Sequence, residues 1–302
     1  MDQTHEPKLT FHDGSCYRCG ATTDLLRFSE FGKAVCPACY PAFFRRRVCA
    51  TMRKFEMLHK GDLIAVALSG GKDSAAVLHT LWQERWRLNI RVMGIHIDMG
   101  LGEYSAHSLA VVEELTGQLG VPLIVERVAD YGVQIQPAGN FEMCSVCGAV
   151  RRALLDRVGL RENADAIATG HTLDDWLQQI LKRLLTGRLD APKPVLPGDE
   201  FHPRKIKPLS YIPDRASEAY VHCVGLPTIS EVCPQFDPHS HRLKQVTELL
   251  EQLAPSGKTQ LINTLRKAMK EPAPGGTDHP CPDCGQPTAT DLCPICRLKR
   301  LS

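Results

Sequence analysis

Leu63-Ile64-Ala65-Val66-Ala67-Leu68-Ser69-Gly70-Gly71-Lys72-Asp73-Ser74 is an unbroken apolar run that ends in a glycine-rich turn and then opens into helix-forming sequence. That order spells a buried strand, a phosphate-sized loop and a helix N-terminus. Gly70 and Gly71 let the backbone approach an anion closely, and a helix start offers free N–H groups and a favourable dipole. Ser69 adds a hydroxyl donor and Lys72 a point charge. A Walker A loop is excluded, because it needs four residues between its first Gly and its Gly-Lys pair, then Ser or Thr after the Lys. The bland alternative is a glycine-rich strand-to-helix turn that binds nothing.

Outward from this stretch the same alternation continues. Strands are expected at Asp62–Leu68, Ile90–Ile97, Pro122–Arg127 and Ala166–Ala168, with helices at Ser74–Arg87, Ser105–Leu119, Gly148–Val158 and Leu173–Leu185. Apolar runs alternating with amphipathic helices predict an α/β fold with a doubly wound parallel sheet covered on both faces. Ligands of such sheets sit beyond the carboxyl ends of the strands. Three groups converge there: the Leu68–Ser74 turn, His96 with Asp98, and Gly170 with His171. Each alone could be an ordinary turn residue; together they outline one pocket.

Length and composition set the frame. A chain of 302 residues can hold one core of about 200 residues plus small modules. Its 36 basic and 34 acidic residues leave a net +2, so any nucleic-acid surface must be local. The polar N-terminus lacks a signal-peptide pattern and no apolar stretch is long enough to span a bilayer, so a soluble cytoplasmic protein without membrane contact is expected. Thirteen cysteines in such a compartment argue for metal rather than disulfides.

Cys16, Cys19, Cys36 and Cys39 form two Cys-x-x-Cys knuckles, and Cys281, Cys284, Cys293 and Cys296 form two more. Each set matches a tetrahedral structural zinc site. They mark off modules at 1–44 and 273–302 around a central domain at 45–272, the last boundary falling in a linker containing Pro272, Pro274, Gly275 and Gly276. Pro41 to Lys54 reads as a helix with a Phe43/Phe44 face and a basic face (Arg45, Arg46, Arg47, Arg53, Lys54) that serves either phosphates or solvent. Cys49 within it reads as a core thiol. The stretch from Lys182 to Lys207 is basic and broken by Pro192, Pro194 and Pro197, which predicts a loop that either touches a nucleic-acid backbone or is simply solvated. Two helices are expected at His239–Leu253 and Gly257–Lys270. Mid-chain, Cys144-Ser145-Val146-Cys147-Gly148 opens a helix and is followed by Arg151-Arg152, an arrangement suited to metal binding or redox chemistry.

The Ser69–Ser74 segment resembles the PP-loop of the ATP pyrophosphatase superfamily, in which the loop holds the pyrophosphate part of ATP and the reaction releases AMP and diphosphate. Ile97-Asp98-Met99-Gly100-Leu101 with Tyr104-Ser105, and Ala168-Thr169-Gly170-His171-Thr172-Leu173-Asp174-Asp175, look like the second and third signature segments of the tRNA 2-thiolation (TtcA/TtuA) group. The resemblance covers the whole chain in the family's order. It implies that the second segment contacts adenosine and that the carboxylates of the third lie at the reacting end, one of Asp174 and Asp175 capping the helix and the other orienting magnesium–ATP or a proton transfer. It implies a [4Fe-4S] cluster on Cys144, Cys147 and a distant third cysteine. Cys233, in Thr228-Ile229-Ser230-Glu231-Val232-Cys233-Pro234, resembles the family segment, whereas Cys223 reads as helix packing. After Cys233 the chain departs from the family, carrying Gln235-Phe236-Asp237-Pro238-His239-Ser240-His241-Arg242 in place of a Tyr and a small polar run ending in Arg-Gly. Arg151 falls where some members have a catalytic Lys and others an Arg pair, so a charge role is carried over.

The implied function is ATP-dependent tRNA sulfur transfer, with Lys72, Asp73, Arg151, Asp174 and Asp175 in catalysis and Leu68–Ser74, His96, Asp98, Gly170 and His171 around ATP. The implied partners are tRNA, a sulfur donor (sulfide or a thiocarboxylated ubiquitin-like carrier) and a second copy in a homodimer. Alternatives are a PP-loop sulfurtransferase acting on a small molecule, or an amidating or ligating enzyme such as a tRNA lysidine synthetase, which would need no cluster.

Overall fold

The computed structural model describes residues 11–136, 143–188, 190, 192–235, 242–269 and 278–300. The expected linker at 272–276, with its domain boundary, and residues 236–241 of the segment departing from the family lie outside the described residues.

The chain opens with a small antiparallel sheet, β1 (Phe11–His12), β2 (Leu25–Phe28) and β3 (Lys33–Val35), followed by α1 (Tyr40–Lys54). Pro41 in the first turn suits a helix start, where its missing N–H costs nothing. The main body then runs β4 (Leu63–Leu68), α2 (Lys72–Leu88), β5 (Arg91–Asp98), α3 (Glu103–Leu119) and β6 (Leu123–Arg127). It continues through α4 (Met143–Arg161), β7 (Ala166–Ala168), α5 (Leu173–Leu185), β8 (Val195–Leu196), β9 (Arg204–Ile206) and α6 (Asp214–Val224). Helices α7 (Arg242–Leu253) and α8 (Gly257–Ala268) precede a terminal unit of β10 (His279–Pro280), β11 (Pro287–Thr288) and α9 (Pro294–Lys299).

The central sheet has the order β6-β5-β4-β7-β9-β8, with every pair parallel except the β8 edge. Alternation along β4 divides its side chains between two cores. Ile64, Val66 and Leu68 face α2, α3 and α6, while Ala65 joins Ile95, Ile97, Val150 and Leu154 against α4. Both faces are therefore covered, as an apolar parallel sheet requires.

The four expected strands form within a residue or two of their predicted ends. The basic stretch 182–207 differs from expectation, because it contains β8 and β9 rather than only loop. β9 is three residues long and mostly basic, so it carries no apolar pattern to announce it. Its backbone pairs with β7, Ala166 opposite Arg204 and Ala168 opposite Ile206. The charges are met by long-range carboxylates, Arg204 by Asp62 and Lys205 by Asp156.

Helix α1 runs through position 44, and its buried face shares a core with β4, α2 and α6. Phe44 stacks on Tyr220 of α6 at 4.1 Å and 18°. Part of its basic face is already occupied: Arg45 pairs with Glu84 at 3.1 Å, and the Lys54 ammonium lies 3.9 Å from the Tyr211 ring centre. Cys49 is buried, as expected, and accepts from Arg87. At the other end, Cys281, Cys293, Ile295 and Leu298 pack into the same core as α4. No helix among the described residues is long and apolar enough to cross a membrane.

Candidate active site

The loop from β4 to α2 is clamped from two sides. Gly70 has φ +79°, and a Cβ there would lie 2.9 Å from Ser108 Oγ. Ser108 Oγ donates to the Ser69 carbonyl at 2.9 Å, and Ile229 N donates to the Gly70 carbonyl at 2.9 Å. The segment leading to Cys233 is thus fastened to this loop. Gly71 caps α2 with no side-chain bond, so the first N–H groups of the helix remain for a ligand. Gly170 is required by close approach, since a Cβ on it would sit 2.8 Å from Ser74 N.

Around this loop opens a cleft of about 610 Å³, within the range of nucleotide-sized pockets. Leu68, Ser69, Gly71, Asp73 and Ser74 line it from the first turn, and His96 from the end of β5. Gly170, His171 and Asp175 line it from the β7–α5 turn, and Gly148 and Arg151 from α4. Four of the expected residues do not line it: Gly70, held beneath Ser108 and Ile229, and Lys72, Asp98 and Asp174. Lys72 turns to a pair of carboxylates, Nζ lying 2.9 Å from Asp73 Oδ2 and 2.5 Å from Asp214 Oδ1. Asp98 accepts from Gly100 N at 2.9 Å. Asp174 is buried away from the cleft, taking Lys258 Nζ at 2.7 Å and Asp214 N at 2.8 Å. Asp175 completes a capping box with Thr172 and still faces the cleft.

Electrostatics follow from this geometry. Burial raises the Asp73 carboxyl to about 7, Lys72 pulling it down and Asp214 and Asp175 pushing it up. Burial opposes the Lys72 charge, but Asp73 and Asp214 together hold its pKa above the ordinary value. Burial lowers the His96 pKa, its Nδ1 lies 2.9 Å from the Leu68 carbonyl, and its buried Nε2 has no partner among the described residues. A neutral ring donating through Nδ1 leaves Nε2 as a free acceptor.

Cys144 and Cys147 stand on the first turn of α4, beside the cleft. Cys144 Sγ lies 3.2 Å from the Gln235 carbonyl, and Arg151 Nη2 is 3.8 Å from Cys147 Sγ. Burial raises the Cys147 thiol, Arg151 opposes this, and Cys233 and Cys144 push it further up. Cys147 thus lies within electrostatic reach of both Cys144 and Cys233. Among the described residues, only the two terminal cysteine sets close to within 4.8 Å. A single tetrahedral zinc with 2.3 Å Zn–S bonds needs sulfurs about 3.8 Å apart. The terminal sets meet that, with Cys19–Cys36 and Cys284–Cys293 at 3.6 Å, whereas three thiolates on separate irons of a cluster stand wider. Cys223, half-buried in α6, packs against the core of that helix, as expected. Backbone N–H groups reach into each terminal set, Cys36 N to Cys16 Sγ at 3.3 Å and Cys293 N to Cys281 Sγ at 3.4 Å. Burial would raise Cys16 and Cys281, but these amides lower both to about 6.

Two cleft residues carried no individual signal. Lys205 of β9 and Lys207 just after it line the cleft, and only the basic run 182–207 pointed that way. Asp214, which takes Lys72, sits at the start of α6 far along the chain.

A family model described as PP-loop domain matches residues 44–195. A tRNA-5-methyluridine(54) 2-sulfurtransferase of Thermus thermophilus is 29% identical over 94% of this chain and 90% of its own. A mouse protein named cytoplasmic tRNA 2-thiolation protein 1 is 30% identical over 94% of this chain and 71% of its own. Among solved structures, the U34-tRNA thiolase NcsA of Methanococcus maripaludis, described with its [4Fe-4S] cluster, matches with TM-score 0.79 over 95% of this chain and 96% of that one. Its 23% identity makes this a likeness of fold.

Proposed function

The chain belongs to the PP-loop domain family, and from that premise we propose that it is an ATP-dependent tRNA 2-sulfurtransferase. The observation that carries the reading is one shared cleft, lined both by the Ser69–Ser74 loop and by Gly148 and Arg151 of the helix that Cys144 and Cys147 open. The substrate names of the relatives agree with it.

The chemistry needs both halves. A pyrimidine C2 oxygen leaves poorly as hydroxide. In the first step that oxygen attacks the α-phosphorus of ATP, the O–P bond forms, the α–β bridge breaks and diphosphate departs. Hydrosulfide then adds at C2 and AMP leaves with the oxygen. Gly71 N–H, Ser69 Oγ and Ser74 cradle the departing diphosphate, and Lys72 adds charge at the same loop. His96 Nε2 accepts a hydrogen bond at the nucleoside end. Asp73 and Asp175 would hold the magnesium that accompanies ATP, and Arg151 would meet negative charge at the reacting end. The target base must leave its stack to reach the cleft.

The [4Fe-4S] cluster is assigned to Cys144, Cys147 and Cys233, and when bound it would hold the donor's sulfur at the level of sulfide for transfer. Zinc is assigned to each terminal four-cysteine set, which defines small modules at 1–44 and 273–302 beside the domain at 45–272. A sulfide or thiocarboxylated-carrier donor, a homodimer and a cytoplasmic location complete the proposal, the last supported by the name of the mouse relative.

The test is mass spectrometry of nucleosides from tRNA of a strain lacking the protein, with loss of a 2-thiopyrimidine expected. In vitro, K72A and D73A are each expected to abolish tRNA-dependent diphosphate release. Unchanged thionucleosides in the deletion strain would overturn the assignment.

A further inference from the structure

We propose that Lys207 is a further catalytic residue of the adenylation step, the cation that contacts the phosphate chain of bound ATP. The assignment rests on the reading of the cleft as an ATP site.

β9 and the residue after it carry three basic side chains, and two are neutralised by the fold. Arg204 Nη2 meets Asp62 Oδ2 at 2.5 Å, and Lys205 Nζ meets Asp156 Oδ2 at 2.7 Å. Lys207 lines the cleft and makes no side-chain hydrogen bond or ion pair with any described group. Its backbone is nonetheless fixed, because Lys207 N donates to the Pro194 carbonyl at 3.0 Å and Thr169 N donates to the Ile206 carbonyl at 3.0 Å. The parallel register, Ala168 opposite Ile206, therefore sets Lys207 level with the Thr169–His171 turn.

An ammonium group half-enclosed without a counter-ion is unfavourable until an anion arrives. Burial lowers the Lys207 pKa and Arg183 acts in the same direction, with only Asp175 opposing. Lys72 has no such need, since Asp73 and Asp214 already surround it. The order across the sheet also fits. His96 lies near the end of β5, the phosphate loop follows β4, His171 follows β7 and Lys207 follows β9. Strands stand about 4.8 Å apart, so Lys207 starts about 10 Å from the loop that holds the diphosphate, and its four-carbon stem reaches back over β7. On that path lies the phosphate chain, on the side away from the nucleoside.

The experiment titrates α,β-methylene-ATP and adenosine against the wild-type protein, K207M and K207R. Loss of one charge-assisted contact weakens binding roughly tenfold or more, which is the expected effect of K207M on the analogue. Adenosine affinity should be unchanged, and K207R should keep most of the analogue affinity because its charge survives. Wild-type analogue affinity in K207M, or an equal loss for adenosine, overturns the assignment. Diphosphate release with bulk tRNA is measured beside it and should fall at least about tenfold in K207M. If the wild-type protein releases no diphosphate with tRNA while K207M still loses analogue affinity, the thiolation reading fails and the phosphate contact stands.

Discussion

Asp174 and Asp175 are neighbours in the chain and have different tasks. Asp174 is the counter-ion of Lys258, whose side chain is only 5% exposed, and it also takes the first N–H of α6. Removing its charge strands a buried ammonium, so D174N should lose about 3–5 kcal/mol of stability. Asp175 meets the cleft, so D175N should fold well and lose tRNA-dependent diphosphate release. Urea midpoints and release rates separate the two; a stable D174N, or an active D175N, contradicts the division. His79 offers a second check. Buried in α2, its Nδ1 lies 2.6 Å from the Tyr220 hydroxyl. Burial, helped by Arg45, lowers its pKa from 6.5 to about 4. Between those values the unfolded chain binds more protons than the folded one, so stability is whole above 6.5 and is lost as pH falls toward 4. The histidine alone should make the protein about 2 kcal/mol less stable at pH 5 than at pH 7.5. H79Q should remove that part of the slope, and an unchanged slope would discard the explanation.

At the scale of elements, the terminal cysteine sets join small hairpins that have too little apolar surface to hold themselves. The C-terminal unit does not stand apart from the sheet domain, because Ile295 and Leu298 of α9 pack with Val146, Val150 and Leu154 of α4. Gln286 adds a bond to the Ala153 carbonyl at 3.2 Å. The zinc content should be about two per chain and fall to about one in C284S. The variant should also loosen α4, seen as faster amide exchange across 146–154. Full zinc retention in C284S would remove the assignment.

At the scale of the molecule, three distant segments are bonded to one another beside the cleft. The segment before Cys233 is bonded to the phosphate loop through Ile229 and Gly70, and its far end touches Cys144. Anaerobic reconstitution should give about four irons per chain with broad visible absorption. Changing Cys144, Cys147 or Cys233 should abolish both, and C223A should keep them. In air, thiolation should stop while diphosphate release continues. A colourless protein that thiolates tRNA at full rate in air would point instead to a persulfide on Cys144 and Cys147.

Much of this was legible in the chain itself. Strand, glycine turn and helix start lie within twelve consecutive residues, so Leu63–Ser74 specifies its own conformation by local sterics and periodicity. Cysteine spacing works in the same way, since each knuckle closes over two intervening residues. The alternation of apolar runs and amphipathic helices was enough for the sheet and for the edge on which ligands gather. β9 was not legible, because a three-residue basic strand has no period and forms only when β7 offers it a partner. Nor were the fates of the charges. Whether Lys72 meets Asp214, 142 positions on, whether Asp174 is taken by Lys258, 84 positions on, and whether Lys207 finds no ion-pair partner among the described residues depend on which helices fold against which strands. A side chain's residue type states the charge it brings; only packing decides which opposite charge lies within reach and how little water remains between them.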